Sequence, residues 1–600
     1  MKSKTSLFNK TIFKTNITRF WPLWVLPSII ATIIAIASIY SAAAYERPLM
    51  SFQTRELFIN LTTDAVPTCM FVYACMVGLA VWNYMYSTRS LSIYHSAPVS
   101  RTTLFITNNL SALFMLFVPF FIAGIIAAAA FALLGAGDAS SFFMYLGSVI
   151  FTALIFMGIY NLSAQICGNG ITCLCVYTVL NFLTVLIETI VGTFSEHIMF
   201  GYRYESGQLA SIFSPLIYMI NNLCYSYDKP SYVIDVDGYS CLVYYAIAGI
   251  FLSAIALFMY TRRKSESAGN LIAFNAIKPV FYVVFTFIVS IPFGELIYIM
   301  FDGNSEIFNP VGISLCLLIS GTITFFGARM LIKKTLRVFK ADAVPGILIT
   351  FGLIITLCVC IFLDPFGVAS TIPETDEIES VRFVAPGVEC SRELEDAESI
   401  EDIRALHKII LDNKASIIND TDKPYVPGDI NSGNYYWINI NYELKNGERI
   451  RRFYEIKPTF SDISNGNSFY SSIFDIVYDP RFALIELKSM EEASNSKPID
   501  YFVLSNYSPF TISEDVDDFM GVLNERGIHP GFLYDEYINF IENTDTLVDK
   551  NSDYYFDPMR LEFVFSSTYT YDEFFNTSQQ YIDVILPEKF IEYLMQNYNQ

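Results

Sequence analysis

YSTRSLSIYHSAPVSRTTLF, residues 86–105, is a short polar insert between two long apolar runs, 66–86 and one that begins near Leu110. The insert has an apolar side (Leu91, Ile93, Tyr94) and a cation toward each end (Arg89, Arg101). Ser90 is a residue type that caps a helix by accepting a hydrogen bond from a first-turn N–H. That helix must stop before Ala97, because the ring of Pro98 disfavours helical backbone in the residue before it. The expectation is a small amphipathic helix on the cytoplasmic membrane surface, then a turn, then the next span. An ordinary cytoplasmic loop with orienting charges has the same composition.

Outward from the insert the chain is apolar. Nine runs, 20–44, 66–86, 110–134, 142–166, 171–190, 241–260, 280–300, 311–331 and 347–363, approach the ~20 residues that cross the hydrocarbon. Trp21, Trp24 and Trp82 stand near run ends, where interfacial anchors are placed. Residues 1–19 hold five cations and no acid, with Phe8, Ile12, Phe13, Ile17 and Phe20 at helical spacing. They read as an interfacial helix on the inner leaflet rather than a signal peptide.

Charge orients the runs. With the N-terminus inside, the inner segments 1–19, 87–103, 167–170, 261–278 and 329–344 carry sixteen Lys/Arg, against four on the outer connections before residue 366. Nine crossings then place residues 366–600 outside. That half is acidic, with 18 Lys/Arg against 43 Asp/Glu, whereas residues 1–365 have 20 against 16. The imbalance argues against nucleic-acid binding, which needs clustered cations. Ten of eleven cysteines precede residue 366, so the acidic half holds no internal disulfide and no Cys/His spacing suits zinc. Cys224 and Cys241 flank one loop and can pair there, or remain unrelated thiols.

Thr88-Arg-Ser, His95-Ser-Ala-Pro-Val-Ser-Arg101 and Leu104-Phe together resemble the first intracellular loop of type-2 ABC exporter permeases. Bacterial members carry a basic residue and then a His-Ser-Leu-Pro-(Ile/Val)-(Ser/Lys)-Arg-like string; this chain has Ala97 in place of the leucine. The resemblance covers roughly residues 1–260. It extends to an interfacial N-terminal helix, six spans, a tight Gly168-Asn-Gly170 turn after the fourth, and an apolar segment at 209–223, too short to span, before the sixth. It implies that Arg89, Ser90, His95, Ser96, Pro98 and Arg101 form a loop coupled to a separate ABC ATPase subunit. It also implies that two permeases, identical or related, pair in the bilayer. The expected organisation is therefore a helix at 1–19, a permease core at 20–260, three added spans at 261–365, and an extracytoplasmic domain at 366–600. Permeases with such a C-terminal domain form a bacterial subgroup in which its role is unassigned.

The fold class expected is a polytopic α-helical membrane protein with a C-terminal soluble α+β domain. In that domain 435–444 and 449–457 flank Lys445-Asn-Gly-Glu448, a hairpin signal. Further strands are expected at 381–385, 501–504, 561–566 and 581–586. Helices are expected at 399–413, capped by Ser399, and at 513–524 and 587–597. A mixed sheet with helices on one side fits that order. Tyr435-Tyr-Trp437 is either a recognition face or strand core.

No phosphate loop occurs, so the chain binds no ATP of its own and any ATP is used by the partner subunit. Motifs for zinc hydrolases, serine hydrolases and dinucleotide binding are also missing, so the chain reads as a transporter subunit and not an enzyme. His407 reads as a packed or surface residue. Glu188, Glu295 and Asp364 lie in or at the ends of apolar runs, where a carboxylate serves either a substrate or proton path or merely the interface. Two rivals stand beside the exporter. An ion-coupled secondary transporter would use Glu188 or Glu295. A non-transporting sensor would bind a peptide with its outer domain.

Overall fold

Polar residues that satisfy themselves let several helices run further than their apolar stretches. The computed structural model describes residues 7–45, 51–96, 98–205, 211–228, 233–302, 309–385, 388–389, 394–421, 436–459, 462, 468–477, 481–482, 499–506, 559–565 and 581–586. Nine helices among these are long and apolar enough to cross a membrane, one for each apolar run. They define a polytopic membrane protein.

The helices are α1 (Lys10–Arg19), α2 (Trp21–Tyr45), α3 (Ser51–Asn60), α4 (Val66–Trp82), α5 (Thr88–Ser96), α6 (Arg101–Leu133), α7 (Ala139–Ile166), α8 (Gly170–Glu196), α9 (Pro215–Asn222), α10 (Tyr239–Arg262), α11 (Ile277–Asp302), α12 (Pro310–Lys333) and α13 (Val344–Leu363). A π-helical turn, Leu61–Ala65, joins α3 to α4, so the second span begins well before its apolar run. Thr62 and Thr63 are buried there, and their hydroxyls donate to the carbonyls of Phe58 and Ile59. The third span likewise starts at Arg101 instead of near Leu110, because Ser100 caps it by accepting from Thr103 N–H at 3.0 Å.

α7 packs against α10, with no side chain between them where Gly158 meets the backbone of Gly249. α6 touches α2, α4 and α7. A short antiparallel hairpin, β1 (Cys224–Asp228) and β2 (Val233–Asp237), precedes α10. Cys241 is a free thiol, while the side chain of Cys224 lies outside the described residues.

The chain divides into two compact units. One holds residues 1–191, 206–297 and 315–355, and the other holds 192–205, 298–314 and 356–600. The second unit is therefore more than the expected 366–600. It takes in two connections that the charge count assigns to the outside.

Its centre is a four-stranded sheet in the order β4-β3-β5-β6, built from β3 (Ile378–Ala385), β4 (Val388–Glu389), β5 (Tyr436–Leu444) and β6 (Arg449–Ile456). β7 (Ile499–Asn506), β8 (Met559–Phe565) and β9 (Tyr581–Leu586) form a separate three-stranded sheet. The expected mixed sheet is not found: every described pairing is antiparallel. The β5–β6 turn is tight, with Gly447 at φ 81°, and a tight hairpin can join only antiparallel strands.

Helix α14 (Ala397–Asp412) buries Ile400, Ile403, Leu406 and Ile410, and α15 (Lys414–Thr421) and α16 (Phe469–Val477) complete that core. The cap of α14 is Asp396, whose carboxylate accepts from Ser399 N–H at 2.7 Å, and not Ser399 itself. Both are capping types, but only Asp396 precedes the first helical residue; Ser399 is buried within the first turn. Tyr436 is core and packs edge-on against Phe474, whereas Trp437 is exposed. Tyr435 and the helices expected at 513–524 and 587–597 lie outside the described residues.

The connection after α8 completes this sheet. Tyr202 bridges Arg452 at the β6 edge, and Phe453 N–H donates to Gly201 O at 3.1 Å. Phe200 enters the core against Tyr454, and Glu205 pairs with Arg451 at 2.9 Å.

Candidate functional site at the 86–105 loop

Trp82, expected at the interface, is fully buried and donates to Asn161 Oδ1 at 3.0 Å. An indole this close to Asn161 gains a hydrogen bond inside the bundle that hydrocarbon cannot offer. Asn161 donates onward to Asn109 Oδ1 at 2.8 Å and to Ser253 Oγ at 3.2 Å, so α4, α6, α7 and α10 meet on one amide.

Beyond Trp82 a 3-10 turn, Asn83–Tyr86, leads to the loop. Tyr84 lies at its centre. Its ring stacks on Tyr94 at 4.3 Å between centroids, and its hydroxyl is 3.0 Å from that of Tyr260 and accepts from Asn108 at 3.3 Å. Asn108 in turn accepts from Asn16 of α1 at 2.8 Å, and Thr107 accepts from Asn9 N–H at 3.1 Å. The N-terminal helix is thus fixed to α6 by a buried polar face as well as by Ile12 and Ile17. Arg19 reaches the Tyr94 hydroxyl at 3.5 Å.

α5 starts at Thr88 and ends at Ser96, before Pro98 as expected. Ser90 therefore lies inside its first turn and does not cap it. Ser87 O already accepts from Leu91 N–H, which places the helix start ahead of Ser90. Leu91 is buried and Tyr94 is held by Tyr84, but Ile93 is 65% exposed. The apolar side is therefore two residues wide, and Ile93 stands on the outward face with the exposed Arg89, Ser92 and Ser96. Pro98 is exposed too. The side chain of His95, and all of Ala97, lie outside the described residues.

Arg101 is not on the outward face. Its guanidinium donates to Thr261 O at 3.2 Å and Arg263 O at 3.0 Å, at the C-terminal end of α10. Arg263 is 5% exposed and donates to Ala164 O at 2.7 Å, the last turn of α7. Burial pushes its guanidinium below its usual pKa, opposed by the nearby hydroxyls and thiols of Tyr86, Cys167, Tyr84 and Tyr260. An arginine stays protonated through such a shift. The same region is stitched through backbone: Ala273 N–H to Ile166 O at 2.8 Å, Gly168 N–H to Leu271 O at 3.3 Å, and Gly269 N–H to Gly168 O at 2.7 Å. Lys334 reaches Gly269 O at 2.9 Å. Segments that the charge count places on one side of the membrane thus touch one another.

The three carboxylates are not brought together as one site. Asp364 is a turn-former: at φ 41° its carboxylate accepts from Val368, Ala369 and Ser370 N–H at 2.6, 3.0 and 3.1 Å. Of the two readings open to Asp364, these contacts favour a place at the end of its run. Backbone amides leaving the ninth helix need an acceptor, and Asp364 supplies it. Glu188 sits in α8 and Glu295 in α11, each with one carboxylate oxygen shielded from solvent by the chain. No cluster of three or more His, Cys, Asp or Glu suited to a metal occurs among the described residues.

Sequence reasoning missed Arg263, which reads as one more inside charge in an Arg-Arg-Lys run. It also missed the Asn16, Asn108 and Asn161 network. The available signal was amide residues inside apolar runs, which need partners at membrane depth. Comparison with protein-family models, with curated proteins and with solved structures returns no match.

Proposed function

We propose that this chain is the permease subunit of an ATP-driven ABC exporter, docked through the outward face of α5 on a separate ATPase subunit. The carrying observation is the mounting of α5. On its inner side Leu91 is buried and Tyr94 stacks on Tyr84, which also contacts α6 and α10, while Arg89, Ile93 and Ser96 remain exposed. A rigidly seated helix with a bare outer face can transmit a push to three helices at once. The charge asymmetry supports a cytoplasmic α5. The grouping of 192–205 and 298–314 with the C-terminal unit supports an extracytoplasmic place for that unit. Two copies, or this chain and a related permease, would enclose the path.

A co-expression experiment tests this. The chain is purified with an ABC ATPase from a neighbouring reading frame as candidate partner, and ATP hydrolysis and co-elution are measured. Retention of the ATPase by wild type, and its loss on Ile93→Asp, supports the reading; equal retention by both defeats it.

The sensor reading keeps one specific support. Residues 199–205, which follow α8 directly, are part of the outer sheet and its core. A ligand that rearranged that sheet would pull on the fifth span. The two readings differ in whether substrate leaves the cell when ATP is hydrolysed.

A further inference from the structure

Along α12, facing Phe285 of α11, there is an apolar groove of about 630 Å³, lined by Phe285, Ile323, Gly327, Met330, Leu331 and Leu336, with Lys334 at its end. Gly327 keeps the wall open: nothing lies within 4 Å of where its Cβ would stand. From Ile323 to Lys334 the helix rises about 16 Å at 1.5 Å per residue, roughly one leaflet of a ~30 Å hydrocarbon core. The groove is thus as long as one acyl chain is deep.

A cation, Lys334, lines its end. Lys334 ends α12 in the left-handed region at φ 53°, and Arg337 and Lys340 follow. Arg329 and Lys333 are both engaged by Asp342, at 2.8 and 2.6 Å. Lys334, Arg337 and Lys340 form no ion pair among the described residues, and Lys334 meets only a neutral carbonyl, that of Gly269. Leu336 and Phe339 are 78% and 68% exposed beside them. One cation at the groove's end, followed within six residues by two more, beside an apolar trough of leaflet depth matches an amphiphile with a negative head. A zwitterionic head would leave that charge unanswered.

We propose that this groove is a binding site for an anionic phospholipid of the inner leaflet. One acyl chain lies along Ile323–Leu331, and the phosphate lies among Lys334, Arg337 and Lys340. The proposal rests on the membrane reading and on the charge-derived orientation, not on the ATPase partnership.

The test is native mass spectrometry of the full-length chain released from detergent. Phosphatidylglycerol and phosphatidylcholine of identical acyl chains are supplied in equal amounts. Wild type should carry phosphatidylglycerol in preference. Lys334→Asn, chosen because asparagine tolerates positive φ, combined with Arg337→Gln and Lys340→Gln should reduce that preference by roughly fivefold per cation removed. Gly327→Leu fills the trough and should lower adducts of both lipids while leaving the charges in place. Each variant must elute like wild type; if the triple variant does not, Arg337→Gln with Lys340→Gln carries the same test with Lys334 intact. Equal uptake of the two lipids by wild type would overturn the proposal. So would a preference unchanged by both the charge and the Gly327 variants, which would place anionic lipid elsewhere on the chain.

Discussion

Arg101 donates to the main-chain oxygen of Arg263 at 3.0 Å, so the residue that opens the third span closes the sixth. The last carbonyls of a helix have no intrahelical partner and carry the negative end of its dipole. Arg101 answers both at α10, and Arg263 then repeats the arrangement on α7 through Ala164 O.

The two cations of the 86–105 loop should therefore behave differently. Arg101→Ala removes a cap that is half open to water, at a cost of about 1 kcal/mol, less than a buried charged hydrogen bond. Arg89→Ala removes an exposed charge and should leave the apparent melting temperature unchanged. Thermal unfolding of the two variants in one detergent decides this. A drop on Arg89→Ala equal to that on Arg101→Ala would contradict it.

The crossing of α7 and α10 should tolerate no side chain. A Cβ on Gly158 would meet the backbone of Gly249, and backbone cannot turn aside as a flexible side chain can. Gly158→Val should cost several kcal/mol by forcing the helices apart, on the scale of ~1–3 kcal/mol for overpacking and more where backbone must shift. Gly352→Ala, where the added Cβ finds open space, serves as the control. Yield of monodisperse protein is the readout, and comparable yields for the two would refute the close-packing argument.

Much of the membrane half was legible because its physics is one-dimensional. Length and apolarity place nine spans without knowledge of what each touches, and Pro98 stops α5 by local sterics alone. What remained hidden depends on partners far along the chain. Trp82 at a run end is an anchor or a core residue according to whether Asn161 is near. Asp364 is a membrane carboxylate or a turn-former according to where the amides of Val368, Ala369 and Ser370 point. The site was legible as a loop but not as two faces, since helical period alone cannot tell that Tyr84 would claim Tyr94 and leave Ile93 bare.

Acid should loosen the four-stranded sheet through His407. The imidazole is buried between Tyr442 and Tyr454, with Nδ1 3.1 Å from one hydroxyl and Nε2 2.7 Å from the other. Burial first, and then the Arg452 charge, hold its pKa down to about 3, against an ordinary value of 6.5. Between those values the unfolded chain binds a proton that the folded chain refuses, so stability falls as pH drops from about 6.5 toward 3, by at most ~1.4 kcal/mol per unit. Above pH 6.5 the residue adds no slope. Hydrogen exchange over 397–412 and 436–456 in the intact protein should rise more steeply between pH 6.5 and 4.5 in wild type than in His407→Gln. Equal slopes would show that carboxylates alone set the acid response.

The connection 192–205 should stand or fall with the sheet it edges. Gly201 has φ 74°, and a Cβ there would enter the ring of Tyr454. Gly201→Val thus combines backbone strain with a clash, at a cost of about 2 kcal/mol or more. Exchange protection should be lost along β6 and α14 while α4–α7 remain protected. Protection unchanged in β6 would remove the connection from the sheet's cooperative unit.

The last prediction separates seating from docking in α5. Tyr94→Ala removes the stack on Tyr84 at 4.3 Å and leaves Arg89 and Ile93 outward; Arg89→Glu with Ile93→Asp changes the outward face and leaves the stack. If α5 transmits force from an ATPase, the outward pair should abolish association, since a lost charge contact desolvated at an interface costs roughly 2–5 kcal/mol. Tyr94→Ala should instead retain the ATPase with basal hydrolysis but uncouple that hydrolysis from substrate movement, because the helix can still be gripped but no longer bears on Tyr84. The pair is informative because each variant breaks one half of the lever. Should Tyr94→Ala lose association while the outward pair keeps it, Tyr94 would be the docking residue and the assignment of the two faces would be reversed. Association kept by both, with coupling intact in both, would mean that no ATPase works through α5.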